Sequence, residues 1–140
     1  MPANKTKEYL REIKIKQHYL KRLKTRRANL HLDVSFGAID YSADRVQSTP
    51  KNKLEEAAVR LSDRIERIDN EIKKVSIEID DRIGSIEKLS DDNHKNILFK
   101  RYVEDKSFEE ISVEMGYAYN YTCTLHGESL TELSKVLNFS

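Results

Sequence analysis

The chain of 140 residues has one cysteine, two prolines, four glycines and no tryptophan. A single thiol, Cys123, excludes an internal disulfide and any multi-cysteine zinc site. So little glycine and proline leaves few places for turns and favours a mostly helical chain. No apolar run approaches the ~20 residues that a membrane span requires. Mean hydropathy is correspondingly low, at -0.72. The opening MPANKTKEYL lacks the apolar core of a secretory signal. These absences describe a soluble chain of a reducing, cytoplasmic compartment with no membrane partner. The length allows one domain, or one small domain with an extended arm.

Charge is plentiful and unevenly placed. The formal net charge is +1. Residues 1 to 31 hold ten Lys or Arg against Glu8 and Glu12, a balance of +8. Residues 32 to 90 balance at −3 and residues 91 to 140 at −4. A basic segment of this kind points to an anionic partner, with nucleic acid the leading class. Arg22, Lys24, Arg26 and Arg27 are its candidate phosphate contacts. The competing explanation is a solvated helix face that pairs with acidic parts of the same chain.

Apolar residues at Tyr9, Leu10, Ile13, Leu20, Leu23 and Leu30 predict a first helix from about Lys5 to Leu30, with a narrow apolar stripe. Lys16 and Arg27 occupy points on that stripe. Residues 31 to 49 break the period and predict a loop. Thr49 as cap and Pro50 at the first helical position then start a second helix. Leu54, Ala58, Leu61, Ile65, Ile68, Ile72, Val75, Ile79, Ile86 and Leu89 step by four and three residues, with Arg82 at the remaining point. That pattern predicts a long helix with a coiled-coil seam. The preferred partner for the seam is the first helix, folded back antiparallel. Homodimerisation through the rest of the seam is a further expectation. Hydrophobic heptads by themselves leave both open.

Three shorter helices follow. The first runs from Ser90 or Asp92 to about Val103. In the second, Ser107 and Glu110 form a capping box for Phe108 to Met115. Gly116 supplies a left-handed C-terminal stop. The third runs from about Ala118 to Leu137, with Leu125, Leu130, Leu133, Val136 and Leu137 expected to be buried. Two helices joined by a tight glycine turn make a helix-turn-helix, which sets its second helix in the DNA major groove. The fold expected is therefore all-α. Residues 1–90 form a basic helix, loop and long coiled-coil helix, as a hairpin or coiled coil. Residues 91–140 form the helix-turn-helix domain.

ILFKRYVEDKSFEEISVEMGYAYNYTCTLHGESLTEL, residues 97 to 133, resembles region 4 of sigma-70-type factors. The whole chain resembles small phage and mobile-element proteins of Gram-positive bacteria related to late-gene transcriptional activators. Asp44 to Pro50, Leu98 to Tyr102 with Phe108 to Ser112, and Met115 to Tyr117 with Leu125, His126, Leu130 and Leu133 carry the resemblance. It implies a transcriptional regulator that binds promoter DNA and contacts RNA polymerase. It also implies that Tyr119, Asn120, Cys123 and Thr124 face the groove.

The residue chemistry agrees in part. Asn pairs with adenine, Thr meets a thymine methyl or a phosphate, and Tyr reaches backbone oxygens. Tyr121 and His126 are further candidates of this sort, and Lys100 and Arg101 are the nearest candidates to hold phosphates. Against this, residues 107 to 134 contain no Lys or Arg and five Glu. DNA affinity comes largely from cations neutralising phosphates. Ala118 stands where a capping Ser or Thr is usual, and Thr122 stands where a branched apolar residue is usual. The alternative expectation is an acidic module that docks on polymerase or another protein without reading DNA. No nucleophile, base and orienting group come together, so no enzyme, metal or cofactor is expected. Cys123 and His126 share a helix face only by spacing.

Overall fold

The computed structural model describes residues 2–44 and 51–139, and the side chains within these apart from Pro2, residues 31–44 and Lys51. All regular structure among the described residues is helical. The elements are α1 (Pro2–Asp44), α2 (Lys51–Glu87), α3 (Asp92–Leu98), α4 (Phe108–Met115) and α5 (Tyr119–Val136). A π-helical turn, Phe99–Val103, prolongs α3.

The loop expected over residues 31 to 49 is corrected in its first part, because α1 continues to Asp44. Between His31 and Asp44 there is one glycine and no proline. Propagating an existing helix adds a hydrogen bond for each residue fixed, so a lone glycine seldom stops it. The Thr49 cap and Pro50 lie outside the described residues. α2 runs unbroken through Gly84 and ends at Glu87, two residues short of the expected Leu89.

Packing divides the chain into two compact units. The first comprises Met1–His18 with Ile77–Ser140, and the second Tyr19–Ser76. In the first unit, Leu10 and Ile13 of α1 are fully buried, as are Ile86 of α2, Ile97 and Leu98 of α3, Ile111 of α4 and Leu133 of α5. Burying a side chain of this size stabilises by roughly 1.5–3 kcal/mol. Hydrogen bonds fix the register of α1 on α2 here, from Tyr9 to Ser85 at 2.8 Å and from Lys16 to Glu78 at 2.6 Å. Rising numbers on one helix meet falling numbers on the other, so the two run antiparallel in this unit. Arg82, the charged point on the α2 seam, donates to the Tyr9 carbonyl at 2.9 Å and lies 4.5 Å over the Tyr9 ring. A guanidinium is accommodated on an apolar stripe by that planar stacking.

The second unit buries less. Leu23, Leu30, Ile68 and Val75 are its buried apolar side chains among the described residues. Arg27 pairs with Asp69 through two nitrogens, one of them donating to the second carboxylate oxygen at 3.2 Å. Lys16 and Arg27 are the two cations of the α1 stripe, and each has found a carboxylate on α2. The start of α2 differs from the expected seam: Leu54 and Ala58 are exposed.

Candidate nucleic-acid interface

Local sequence sets the frame of the C-terminal elements. The Asp91 carboxylate accepts the Asn93 amide at 2.8 Å and starts α3. In the π-helical turn the Glu104 amide reaches back to the Phe99 carbonyl at 3.1 Å. Asp105 follows in a left-handed conformation (φ 58°), which an Asp tolerates better than most residues. The Lys14 ammonium lies 2.7 Å from its carboxylate and holds its pKa below the usual range.

The capping box is present: Ser107 accepts the Glu110 amide at 3.2 Å, and Glu110 reaches back to the Ser107 amide at 3.4 Å. Gly116 ends α4 at φ 74°, and its neighbour's amide, on Tyr117, closes on the Ser112 carbonyl at 3.0 Å. Ser112 is buried where α4 must approach α5. Ala118 is extended at the start of α5 and makes no side-chain cap. Asn120 lies within the first turn of α5. Asn138, at φ 60°, supplies the left-handed residue beyond the far end of α5.

The beginning of α5 is the exposed polar face. Tyr119 is 46% and Tyr121 48% exposed. Asn120 and Thr124 are exposed, and Cys123 is half-buried. Thr124 bonds back to the Asn120 carbonyl at 3.1 Å, and Tyr121 packs edge-on against Tyr117 at 4.9 Å. Interaction with the neighbouring Cys123 raises the Tyr119 phenol pKa above its ordinary value, and Glu109 adds to this. Tyr119 is therefore a neutral hydrogen-bonding group at physiological pH.

Two sequence expectations for this helix are corrected. His126 is a core residue, only 7% exposed, and is not available as a contact. It bonds the Tyr102 hydroxyl through Nε2 at 2.8 Å and meets Phe108 edge-on at 4.9 Å. Burial pushes its pKa down to about 4, with Lys7 and Arg101 acting in the same direction. Val136 is exposed rather than buried, since α5 ends there. Thr122 is fully buried as a core residue, and its hydroxyl is satisfied by the Ala118 carbonyl at 3.0 Å.

The cations assigned to phosphates in the first unit have partners within the chain. Lys100 lies 3.0 Å and Lys106 2.7 Å from the same Glu114 oxygen. Those bonds, first to Lys106 and then to Lys100, keep Glu114 below the usual carboxylate pKa. Arg101 donates to the Lys106 carbonyl at 3.0 Å and stacks 4.4 Å over Phe108. Arg11 and Lys14 of α1 line a hollow with Arg101, Tyr102 and Asp105. Nothing local in the sequence indicates that these two basic residues of α1 lie beside Tyr102.

In the second unit Arg22, Lys24 and Arg26 are exposed, and Arg22 lies 5.4 Å over the Tyr19 ring. Arg27 is set apart from them by its pairing with Asp69. Arg64 and Arg67 of α2 join Arg26 around one groove. Their three-residue spacing, on one helix face, was the available sequence signal. Among the described residues no group of three or more His, Cys, Asp or Glu is placed to hold a metal ion, and no helix is long and apolar enough to cross a membrane. Comparison of the chain with protein-family models, with curated proteins and with solved structures gives no match.

Proposed function

We propose that the protein is a non-enzymatic, DNA-binding transcriptional regulator of the phage or mobile-element kind that the whole chain resembles, with a sigma-region-4-like C-terminal part. In this reading α1 and α2 form a helical hairpin, and α4, the Gly116 turn and α5 form a helix-turn-helix. The observation that carries it is the exposed polar face of Tyr119, Asn120 and Thr124 on the first turns of α5, directly after the left-handed Gly116. Asn120 supplies paired donor and acceptor groups to a base edge, and a good bidentate contact discriminates by about 1–3 kcal/mol. RNA polymerase is the second partner in this reading.

The test is fluorescence anisotropy with duplexes from the gene's own neighbourhood, against random duplex. Asn120→Ala with Thr124→Ala is expected to reduce preference for the cognate fragment by tenfold or more, taking ~1.4 kcal/mol per decade. Helicity should be unchanged. Equal preference in the variant and the parent chain removes α5 as the reading element.

A protein-docking role is favoured by a different observation: Glu114 holds both Lys100 and Lys106 in an acidic segment. Glu114→Gln separates the readings. If α4 and α5 meet DNA, freeing the two lysines tightens binding and steepens its salt dependence by up to about two phosphate contacts. Unchanged DNA binding, together with capture of polymerase, supports docking.

A further inference from the structure

We propose that the groove of the second unit is a phosphate-backbone site for a nucleic-acid duplex, built jointly by α1 and α2. This site does not depend on α5 reading bases. The groove encloses about 370 Å³, with Leu23 and Ile68 in its lining. Arg26 comes from α1, and Arg64 and Arg67 come from α2. All three are exposed, and none has a carboxylate ion-pair partner among the described residues. Arg67 makes only a long contact, 3.5 Å, to the Asp63 carbonyl of its own helix. The contrast with the adjacent Arg27 is direct, since Arg27 is engaged by Asp69.

The chemistry of the three side chains selects the ligand. A guanidinium presents its N–H groups as a planar fork that matches phosphate oxygens two at a time. Arg22, over the Tyr19 ring beside the groove, extends the cationic surface along α1. One acid opposes this. Glu71 also lines the groove, where it accepts the Tyr19 hydroxyl at 3.4 Å. Its charge repels phosphate, so its neutralisation has a predicted sign opposite to that of the arginines. A duplex carries phosphates at close, regular spacing on both strands, which suits several arginines on two neighbouring helices.

The experiment uses the full chain and a labelled random-sequence duplex in a salt series. Arg26→Gln, Arg64→Gln and Arg67→Gln together are expected to weaken binding by at least about tenfold at low salt. The same variant should lower the slope of log K against log salt by ~2–3, at about 0.9 per phosphate contact. Glu71→Gln is expected to tighten binding. Lys53→Gln, Lys73→Gln and Lys74→Gln remove the same charge from exposed positions that do not line the groove, and are expected to cost under about threefold at physiological salt, where charges beyond a Debye length of about 8 Å are largely screened. The arginine variant should lose affinity for the cognate fragment and for random duplex by the same factor, which separates this site from the recognition role of α5. Circular dichroism checks that each variant remains helical.

Equal losses in the arginine and lysine variants would reduce the effect to net charge and overturn the site. So would an arginine variant that binds like the parent chain. Vesicles containing phosphatidylserine form the last arm. Arginine-dependent vesicle binding with arginine-independent duplex binding would overturn the nucleic-acid assignment.

Discussion

The two units of this chain handle charge in opposite ways. Residues 19 to 76 carry thirteen Lys or Arg against nine Asp or Glu, a balance of +4, whereas the residues of the first unit balance at −3. In the first unit, Lys100 and Arg101, the candidate phosphate contacts there, are engaged within the chain, as are Lys106 and Lys14. Lys100 and Lys106 share Glu114, Lys14 holds Asp105, and Arg101 covers Phe108. In the second unit, Arg26, Arg64 and Arg67 stand around a groove without acidic partners among the described residues. Basic residues in a sequence are thus a poor measure of basic surface. What matters is which carboxylate the fold brings within reach.

The units differ in packing as well. The apolar core among the described side chains lies mostly in the first unit, where α1, α2, α3, α4 and α5 each contribute buried residues. The second unit has two helices to draw on and buries four apolar side chains among those described. The largest expected effect breaks this comparison at its strong side. Leu133→Ala, at a fully buried position, should cost about 2–5 kcal/mol of unfolding free energy through lost burial and a residual cavity. The matched change in the second unit, Leu54→Ala, falls on a side chain 45% exposed and should stay within about 0.5 kcal/mol. Urea titrations followed by circular dichroism measure both. Similar losses would mean that Leu54 is covered in solution, as a dimer through the α2 seam would do.

A second prediction concerns pH and belongs to the first unit alone. Buried His126 titrates at about 4 in the folded chain. An ordinary histidine in the unfolded chain titrates near 6.5. Between those values the unfolded chain binds a proton that the folded one does not. Stability is therefore full above about pH 6.5 and falls as pH drops toward 4. His126→Gln keeps a group able to bond Tyr102 but does not titrate. It should be less stable at pH 7 and should show a flatter decline between pH 6.5 and 5, a window above the carboxylates. An undiminished decline in the variant would assign it to another group.

The smallest effect tests the uncapped start of α5. Ala118 has the extended backbone of a cap residue and no side chain to use it. Ala118→Ser should stabilise the chain by about 1 kcal/mol. A fall in the urea midpoint would indicate that the added hydroxyl is held elsewhere or that the bare cap avoids a clash.

Much of this architecture was legible in the sequence because its signals are local. The Ser107–Glu110 box, the Gly116 stop and the bare Ala118 are each decided within one turn of chain. The four-and-three stepping of Leu54 to Leu89 marked a long helix, because side chains at that spacing share one face, although Leu54 and Ala58 prove exposed and α2 ends at Glu87. The misreadings arose where local signals were weak or long-range contacts decided. One glycine at position 37 looked like a break, yet α1 continues past it. His126 looked like a surface contact until Tyr102 and Phe108 enclosed it.

Composition and short-range signals were enough for the all-helical class, the caps and stops of the C-terminal elements, and the uneven supply of charge. These follow from backbone propensity, short-range hydrogen bonding and composition. Which charges are left for a partner depends on how the helices pack. Glu114 meets Lys100 and Lys106 across separate elements, Asp69 meets Arg27 across 42 positions, and Arg26 joins Arg64 and Arg67 at one groove. The physical reason is range: an ion pair needs its atoms within about 4 Å, and for partners outside one helical turn only packing brings them there.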